Sequence, residues 1–370
     1  MRPSELRKEE QMNCVEKRAV IKQEIETPAL LVDLDRMEAN LERMAAFFRT
    51  VPAKLRPHFK NHRSPELAAR QLDAGAIGIT CSTLHEAECL VQHGVSSILL
   101  ANEIADPAKI RSFAELARQA EVIVCVDNDK AAADLARAGR ERQTQLSVLV
   151  DVDVGQHRCG VQPGEPAVRL AHGVAEKGLR FRGLMGYAGH VSHLLPGAEK
   201  DEAVAATVRP LMETKACLEH EGVRVEIVSA GATGTYSSSG CWPGVTEVQA
   251  GSYLLMDTNY RQTCTEFDLA LTMLATVISK TDGQRVVVDA GVKALSCERG
   301  LPILKDMDGL TANRFNAEHG ILDLHGPSSP VQIGDKIELW VRYSDATINL
   351  HERMYGIRNG QVEKVFHLCR

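Results

Sequence analysis

The sequence predicts an α/β fold, a (β/α)8 barrel followed by a C-terminal β domain. Three observations carry this. Short β-rich runs alternate with amphipathic helical runs from about residue 55 to about residue 255, giving eight strand–helix units, the number that closes a parallel barrel. Most interior runs are apolar almost throughout, as strands covered on both faces are. After about residue 262 the helical period fades and β-like runs follow one another. An open, doubly wound sheet is the rival, since counting units does not establish closure.

Residues 1–26 are charged throughout and lack an apolar segment, so they predict an N-terminal extension and no secretory signal. ALLVDL (29–34) is the first strand; it stands outside the count of eight and could join the β domain. The barrel strands are then expected at LRPHFK (55–60), IGITCS (77–82), SILLAN (97–102), VIVCVD (122–127), LSVLVDVDV (146–154), RGLMGYAG (182–189), VEIVSAG (225–231) and VTEVQAGSY (245–253). Helical periods fall between them at Leu34–Phe48, Ser64–Asp73, Leu84–His93, Pro107–Gln119 and Glu165–Lys177. Pro65 and Pro107 sit at the first helical position, where a missing N–H costs nothing. LALTMLATVISKT, QRVVVDAG, ILDLHG, DKIELWVRY and QVEKVF make the C-terminal β domain. The expected division is 27–260 for the barrel and 261–370 for the β domain.

A chain of 370 residues, 44% hydrophobic and 25% charged, is long enough for two domains and too apolar for disorder. Its 43 Lys and Arg against 49 Asp and Glu give a net charge of −6, which argues against nucleic acid or an anionic membrane as the main partner. No 18-residue apolar run exists to span a bilayer. The ten cysteines include no CxxC pair, and several lie in apolar or helical runs (Cys81, Cys125, Cys89, Cys217). Reduced, mostly buried thiols and a cytoplasmic protein are the expectation.

Three strand ends carry candidate chemistry. RPHFKNH (Arg56–His62) sets Lys60 between two histidines where a barrel keeps its active site. A lysine partly withdrawn from water has a lowered pKa and can act as a Schiff-base nucleophile; a solvated lysine at a loop start is the bland alternative. DVDVGQHRCGV (Asp151–Val161) places Arg158 just beyond a strand, facing a ring nitrogen, a carboxylate, or only a surface ion pair. SAGATGTYSSSG (Ser229–Gly240) runs from a strand into a Gly- and hydroxyl-rich turn whose backbone N–H groups can cradle a phosphate. Its place after the seventh strand is where barrels favour phosphate. A lysine, an arginine and a phosphate-cradling turn together suit pyridoxal phosphate.

These residues resemble the D-threonine aldolase and D-serine dehydratase group of fold-type III pyridoxal enzymes, which have the alanine-racemase-type barrel with a β domain. The resemblance runs from about Thr27 to Phe366 and rests on ETPALLVDLD, RPHFKNH, the run ending in RCGV, GYAGH, AGATGTY, AGSY with Asp257, VVDAGVKALS, EHG and GDKIEL. It implies that Lys60 is the Schiff-base lysine and that Arg158 lies near the pyridine nitrogen. Tyr187, Gly231, Thr233 and Gly234 would hold the phosphate, with Tyr253 in the same binding set, and His58 and His62 would tune the lysine. It also implies a small-molecule D-amino-acid substrate and a homodimer.

The resemblance breaks at one place. The group carries a divalent-metal site (Mg, Mn or Zn) on a His followed two residues later by Asp or Cys, and the metal orients the substrate's β-hydroxyl. Here Asp345 is kept, but Tyr343 replaces the His, and a phenol with a pKa near 10 is a poor ligand for a hard cation. His351 or His319 could supply the ligand instead, or Tyr343 could bind the hydroxyl directly. The favoured function is retro-aldol cleavage of a D-3-hydroxy amino acid to glycine and an aldehyde, because the retained Asp matches the aldolases. Dehydration of D-serine or 3-hydroxyaspartate, a metal-independent racemase using Lys60 and Tyr343, and a non-catalytic cofactor carrier are the alternatives.

Overall fold

The computed structural model describes residues 20–280, 284–325 and 331–369. Most of the N-terminal extension expected over residues 1–26 therefore lies outside the described residues. Strand β1 (Ala29–Asp33) leads into helix α1 (Leu34–Thr50), whose Asp33 cap accepts from Arg36 N. The barrel follows as β2 (Lys54–Leu55), α2 (Pro65–Asp73), β3 (Ile79–Cys81), α3 (Leu84–Gln92), β4 (Ser97–Leu100), α4 (Pro107–Leu116), β5 (Glu121–Val126), α5 (Asp129–Glu141), β6 (Ser147–Asp151), α6 (Glu165–Glu176), β7 (Arg180–Gly186), α7 (Ala198–His220), β8 (Ile227–Ala230), α8 (Tyr236–Gly240) and β9 (Glu247–Val248). The eight strands β2 to β9 form one parallel sheet in the order β2-β9-β8-β7-β6-β5-β4-β3. The His58–Thr80 bridge just beyond β2 joins its two ends, so the sheet closes and the open-sheet rival falls.

Alternate residues of the strands face two cores. Leu99, Ile123, Cys125, Leu149, Met185 and Ile227 cluster inside the barrel; their neighbours, such as Val124, Val150 and Val228, pack outward with the helices. That double burial explains the near-continuous apolar runs. One end of the interior is polar. Arg56 Nε meets Glu247 Oε2 at 2.8 Å, both side chains almost fully buried. Gly78 leaves room for this arginine, because a Cβ there would lie 2.1 Å from Arg56 Nη1.

The remaining strands are β10 (Leu271–Ser279), β11 (Arg285–Val288), β12 (Ile303–Leu304), β13 (Leu310–Phe315), β14 (Gly320–Leu324), β15 (Lys336–Trp340), β16 (Arg353–Arg358) and β17 (Gln361–His367), with the short helix α9 (Ser344–Ile348) before β16. They form a mixed sheet whose main path is β13-β14-β11-β10-β1-β16-β17. β1 pairs antiparallel with β10 and parallel with β16, so the first strand of the chain sits at the centre of this sheet. The expectation of unpaired, reduced cysteines is corrected at one point. Cys89 of α3 and Cys369 form a disulfide with Cα atoms 6.5 Å apart. No helix among the described residues is long and apolar enough to cross a membrane.

Candidate active site

Lys60 owes its place to a turn within LRPHFK (55–60), a run the sequence predicts to be strand. β2 ends at Leu55 and Pro57 follows, a residue with no N–H to give the ladder. Phe59–Asn61 then forms a 3-10 turn. At three residues per turn, Phe59 and His62 fall on one side and Lys60 on another. Phe59 and His62 are fully buried with ring centroids 5.4 Å apart. Lys60 instead lines a cavity of about 300 Å³ at the barrel mouth, with His58, Ser82, Arg158, Tyr187 and the interior Met185. That volume is at the lower end of small-molecule sites, about 300–1,000 Å³.

The ammonium of Lys60 stands 3.7 Å from Asp345 Oδ2 and 5.9 Å from the Tyr187 ring centroid. Burial pulls its pKa down, but Asp345, Tyr187 and Tyr343 outweigh burial and raise it above the ordinary value. The lowered lysine pKa expected from the sequence is thus corrected, because the carboxylate beside it arrives from residue 345. Arg158 lies over the other part of the site, with its guanidinium carbon 5.2 Å from the Tyr187 centroid. His58 is held neutral, its pKa pulled down by burial and then by Lys60, His62 and Arg158. Its Nε2 is 3.2 Å from Ser82 Oγ, and its Nδ1 accepts weakly from Lys60 N at 3.4 Å.

Next to Arg158, Glu103, Asp127 and Cys159 converge, with one donor atom of each within 4.8 Å of the others. Asp151 is pushed up to about 8 by burial and then by the charge and hydrogen bond of Glu103.

Tyr343 and Asp345 flank Ser344, the first residue of α9. The buried Asp257 Oδ2 accepts from Ser344 N at 2.9 Å and from Ser344 Oγ at 2.8 Å. The amide nitrogen of Asn61 donates to Asp345 Oδ1 at 2.7 Å and to Ser344 Oγ at 2.8 Å. Two buried side chains from the barrel thereby fix the segment from the β domain against Lys60. Burial first, then Asp345, raises the Tyr343 phenol pKa.

The other candidates divide. Tyr187 lines the cavity; Gly231, Thr233 and Gly234 follow β8 on the adjoining strand end and are buried. Gly231 has φ +72°, and a Cβ on Gly234 would lie 1.9 Å from Ser192 O, so this turn tolerates only glycine at both places. Thr233 Oγ1 accepts from Tyr253 N at 3.2 Å. The Tyr253 side chain leaves the site: its hydroxyl accepts from Gln71 Nε2 at 2.9 Å, and Gln71 Oε1 lies 3.1 Å from His62 Nε2. His62 and the Tyr253 ring thus belong to a buried polar chain behind the site, not to the cavity.

Sequence reasoning missed Asn61, His193, Tyr260 and Arg299. Asn61 adjoins Lys60 and was within reach of the motif; the others come from loops with no local signal. The His193 ring lies 4.6 Å from that of Tyr260. Its pKa is lowered by burial and then by Arg299 and Lys200, with Asp345 opposing, so the imidazole is neutral near pH 7. The guanidinium carbon of Arg299 stands 5.5 Å from the Tyr343 ring centroid.

The residues fit pyridoxal phosphate: a lysine in a cavity, an arginine across an aromatic ring from it, and a Gly- and Thr-bearing turn at the adjoining strand end. They do not fit a divalent cation. Both Asp345 oxygens already face N–H or ammonium groups, and Tyr343 offers a neutral phenol. His351 Nε2 is 2.6 Å from the Ala294 carbonyl and lines a different cavity, and His319 is exposed in the β13–β14 turn. Among the described residues, no group of three His, Cys, Asp or Glu ligands includes Asp345.

Residues 32–259 match the family described as alanine racemase, N-terminal domain, and residues 270–357 match the serine dehydratase domain family. The chain is 36% identical over 349 residues to a D-threonine aldolase of Arthrobacter sp, covering 93% of this chain and 92% of that protein. It is 34% identical to a 3-hydroxy-D-aspartate aldolase of Paracoccus denitrificans, covering 93% and 91%. Among solved structures, the D-threonine aldolase from Filomicrobium marinum superposes with a TM-score of 0.92 at 35% identity, covering 95% of this chain and 98% of that one.

Proposed function

The chain belongs to the D-threonine aldolase family of alanine-racemase-fold enzymes, and from that premise we propose that it cleaves D-3-hydroxy amino acids to glycine and an aldehyde. The observation that carries this is Lys60 at the barrel mouth, 3.7 Å from Asp345 and facing Tyr187. Pyridoxal phosphate, when bound, supplies an aldehyde for the lysine and a ring that draws electrons from the substrate's Cα. Lys60 would hold it through Nζ and Arg158 would face its ring nitrogen. Tyr187, Gly231, Thr233 and Gly234 would take its phosphate, with the Tyr253 backbone steadying Thr233.

The rest of the work falls to the chain's own groups. Neutral His193 accepts the β-hydroxyl proton as the Cα–Cβ bond breaks. Lys60 returns a proton to Cα. His58 stays uncharged beside Lys60 and adds no repulsion when the ammonium is present. The homodimer is part of this reading and rests on the resemblance; light scattering tests it.

The functional test is a panel of D- and L-3-hydroxy amino acids (threonine, phenylserine, 3-hydroxyaspartate) assayed for glycine and aldehyde. Cleavage of the D forms supports the reading. Ammonia and a keto acid in place of glycine would make the chain a dehydratase and refute it. Lys60→Ala should lower turnover on the order of 10³-fold or more and release the cofactor on gel filtration.

A further inference from the structure

We propose that this chain handles the substrate's β-hydroxyl without a divalent cation, using the Tyr343 hydroxyl to orient it and the Arg299 guanidinium to supply the positive charge. The inference rests on the aldolase reading and deepens it.

The place where a cation would sit is already organised around other partners. Asp345 accepts from Asn61 at 2.7 Å through one oxygen and faces the Lys60 ammonium at 3.7 Å through the other. Magnesium keeps several waters but still rests on one or two free carboxylates, and zinc commonly needs four ligands, mostly nitrogen or sulfur. This corner offers one engaged carboxylate and a phenol. The segment is also fixed: Asp257 holds Ser344 through both its N–H and its hydroxyl, at 2.9 and 2.8 Å.

The positive charge is already present. Arg299 lies over the Tyr343 ring at 5.5 Å and is close enough to His193 to push that imidazole toward its neutral form. Its backbone is tied by Arg342 Nε, which donates to the Arg299 carbonyl at 3.0 Å. Its carboxylate neighbour among the described residues is Glu298, 4.0 Å away, with both side chains at least half exposed. The guanidinium therefore keeps donors to spare for a substrate.

In the proposed step the Tyr343 O–H donates to the β-oxygen and holds it in place. His193 takes the hydroxyl proton while the Cα–Cβ electron pair moves to the Cα side. Arg299 N–H groups donate to the β-oxygen while it carries negative charge, before the C=O of the aldehyde is complete. Lys60 then gives a proton to Cα and recovers one through solvent from the protonated His193, so protons and electrons balance and no further reagent is needed.

Three measurements on the holoenzyme test this. Dialysis against a chelator, followed by elemental analysis and assay, should leave activity within about twofold of its starting value. Titration with Mn²⁺ followed by electron paramagnetic resonance should show no bound ion. Arg299→Gln should lower kcat by roughly 10²–10³-fold, with KM changed much less, and Arg299→Lys should recover part of the loss. Chelator-sensitive activity restored by Mn²⁺, Mg²⁺ or Zn²⁺, tight Mn²⁺ binding, or an unchanged kcat in Arg299→Gln would each overturn the proposal. If the chain cleaves no 3-hydroxy amino acid at all, the aldolase reading has failed. The Mn²⁺ titration still decides separately whether this corner takes a cation.

Discussion

Burial pulls the pKa of His62 down to about 4, against smaller upward pulls from Gln71 and Ser64. An unfolded histidine near 6.5 binds its proton more readily, so between these values the unfolded state carries more protons and stability rises with pH. The contribution is complete above about pH 6.5 and is lost as pH falls through about 4. By pH 4.5 the loss amounts to roughly 2–3 kcal/mol. His62→Gln should therefore lose less stability than the parent between pH 7 and 4.5, by about that amount, in urea unfolding. Equal losses would show that His62 is not a buried neutral group. At this scale the motif RPHFKNH was legible as chemistry but not as geometry. A strand would have alternated its side chains, whereas the 3-10 turn sends His62 back to Phe59 and leaves Lys60 to the cavity. Arg299 and His193 were not legible, because nothing local marks a loop residue that comes to rest beside Tyr343 or Tyr260.

The Arg56–Glu247 pair ties β2 to β9 inside the barrel. Removing the arginine alone would leave a carboxylate buried without its counter-charge, a cost of about 3–5 kcal/mol. Arg56→Met should lower stability by that amount in chemical denaturation, and Arg56→Met with Glu247→Leu should recover much of it. A single variant as stable as the parent would mean that water reaches this end of the barrel. Gly78 belongs to the same device, since its missing Cβ makes room for the guanidinium. Element order was readable because the barrel strands alternate with helices, all but β9 being followed by one. Element length was less so: β2 and β9 are two residues each, where the apolar runs suggested six and nine. Pro57 interrupts one, and the stretch after Val248 turns to carry Asp257 toward Ser344.

The larger sheet draws its strands from both ends of the chain, with β1 lying between β10 and β16. A fragment of residues 261–370 lacks that strand and should show no cooperative thermal transition in near-ultraviolet circular dichroism; a sharp transition would mean that β10 and β16 need no strand between them. The Cys89–Cys369 bond makes a second long-range tie, spanning 280 residues. Thiol titration of unreduced, unfolded protein should find no more than eight of the ten cysteines free, since two are bonded; ten would refute the pairing. The possible membership of β1 in this sheet was visible from its surplus to the count of eight, whereas a pairing across 280 residues leaves no trace in spacing. This interleaving also sets a clock on synthesis. Asn61 and Asp345 are 284 residues apart, so at about 5–20 residues per second the lysine turn leaves the ribosome roughly 15 seconds to a minute before its carboxylate partner exists. Until then the nascent barrel has its lysine but not the segment that completes the site, and a truncated product would be born inactive.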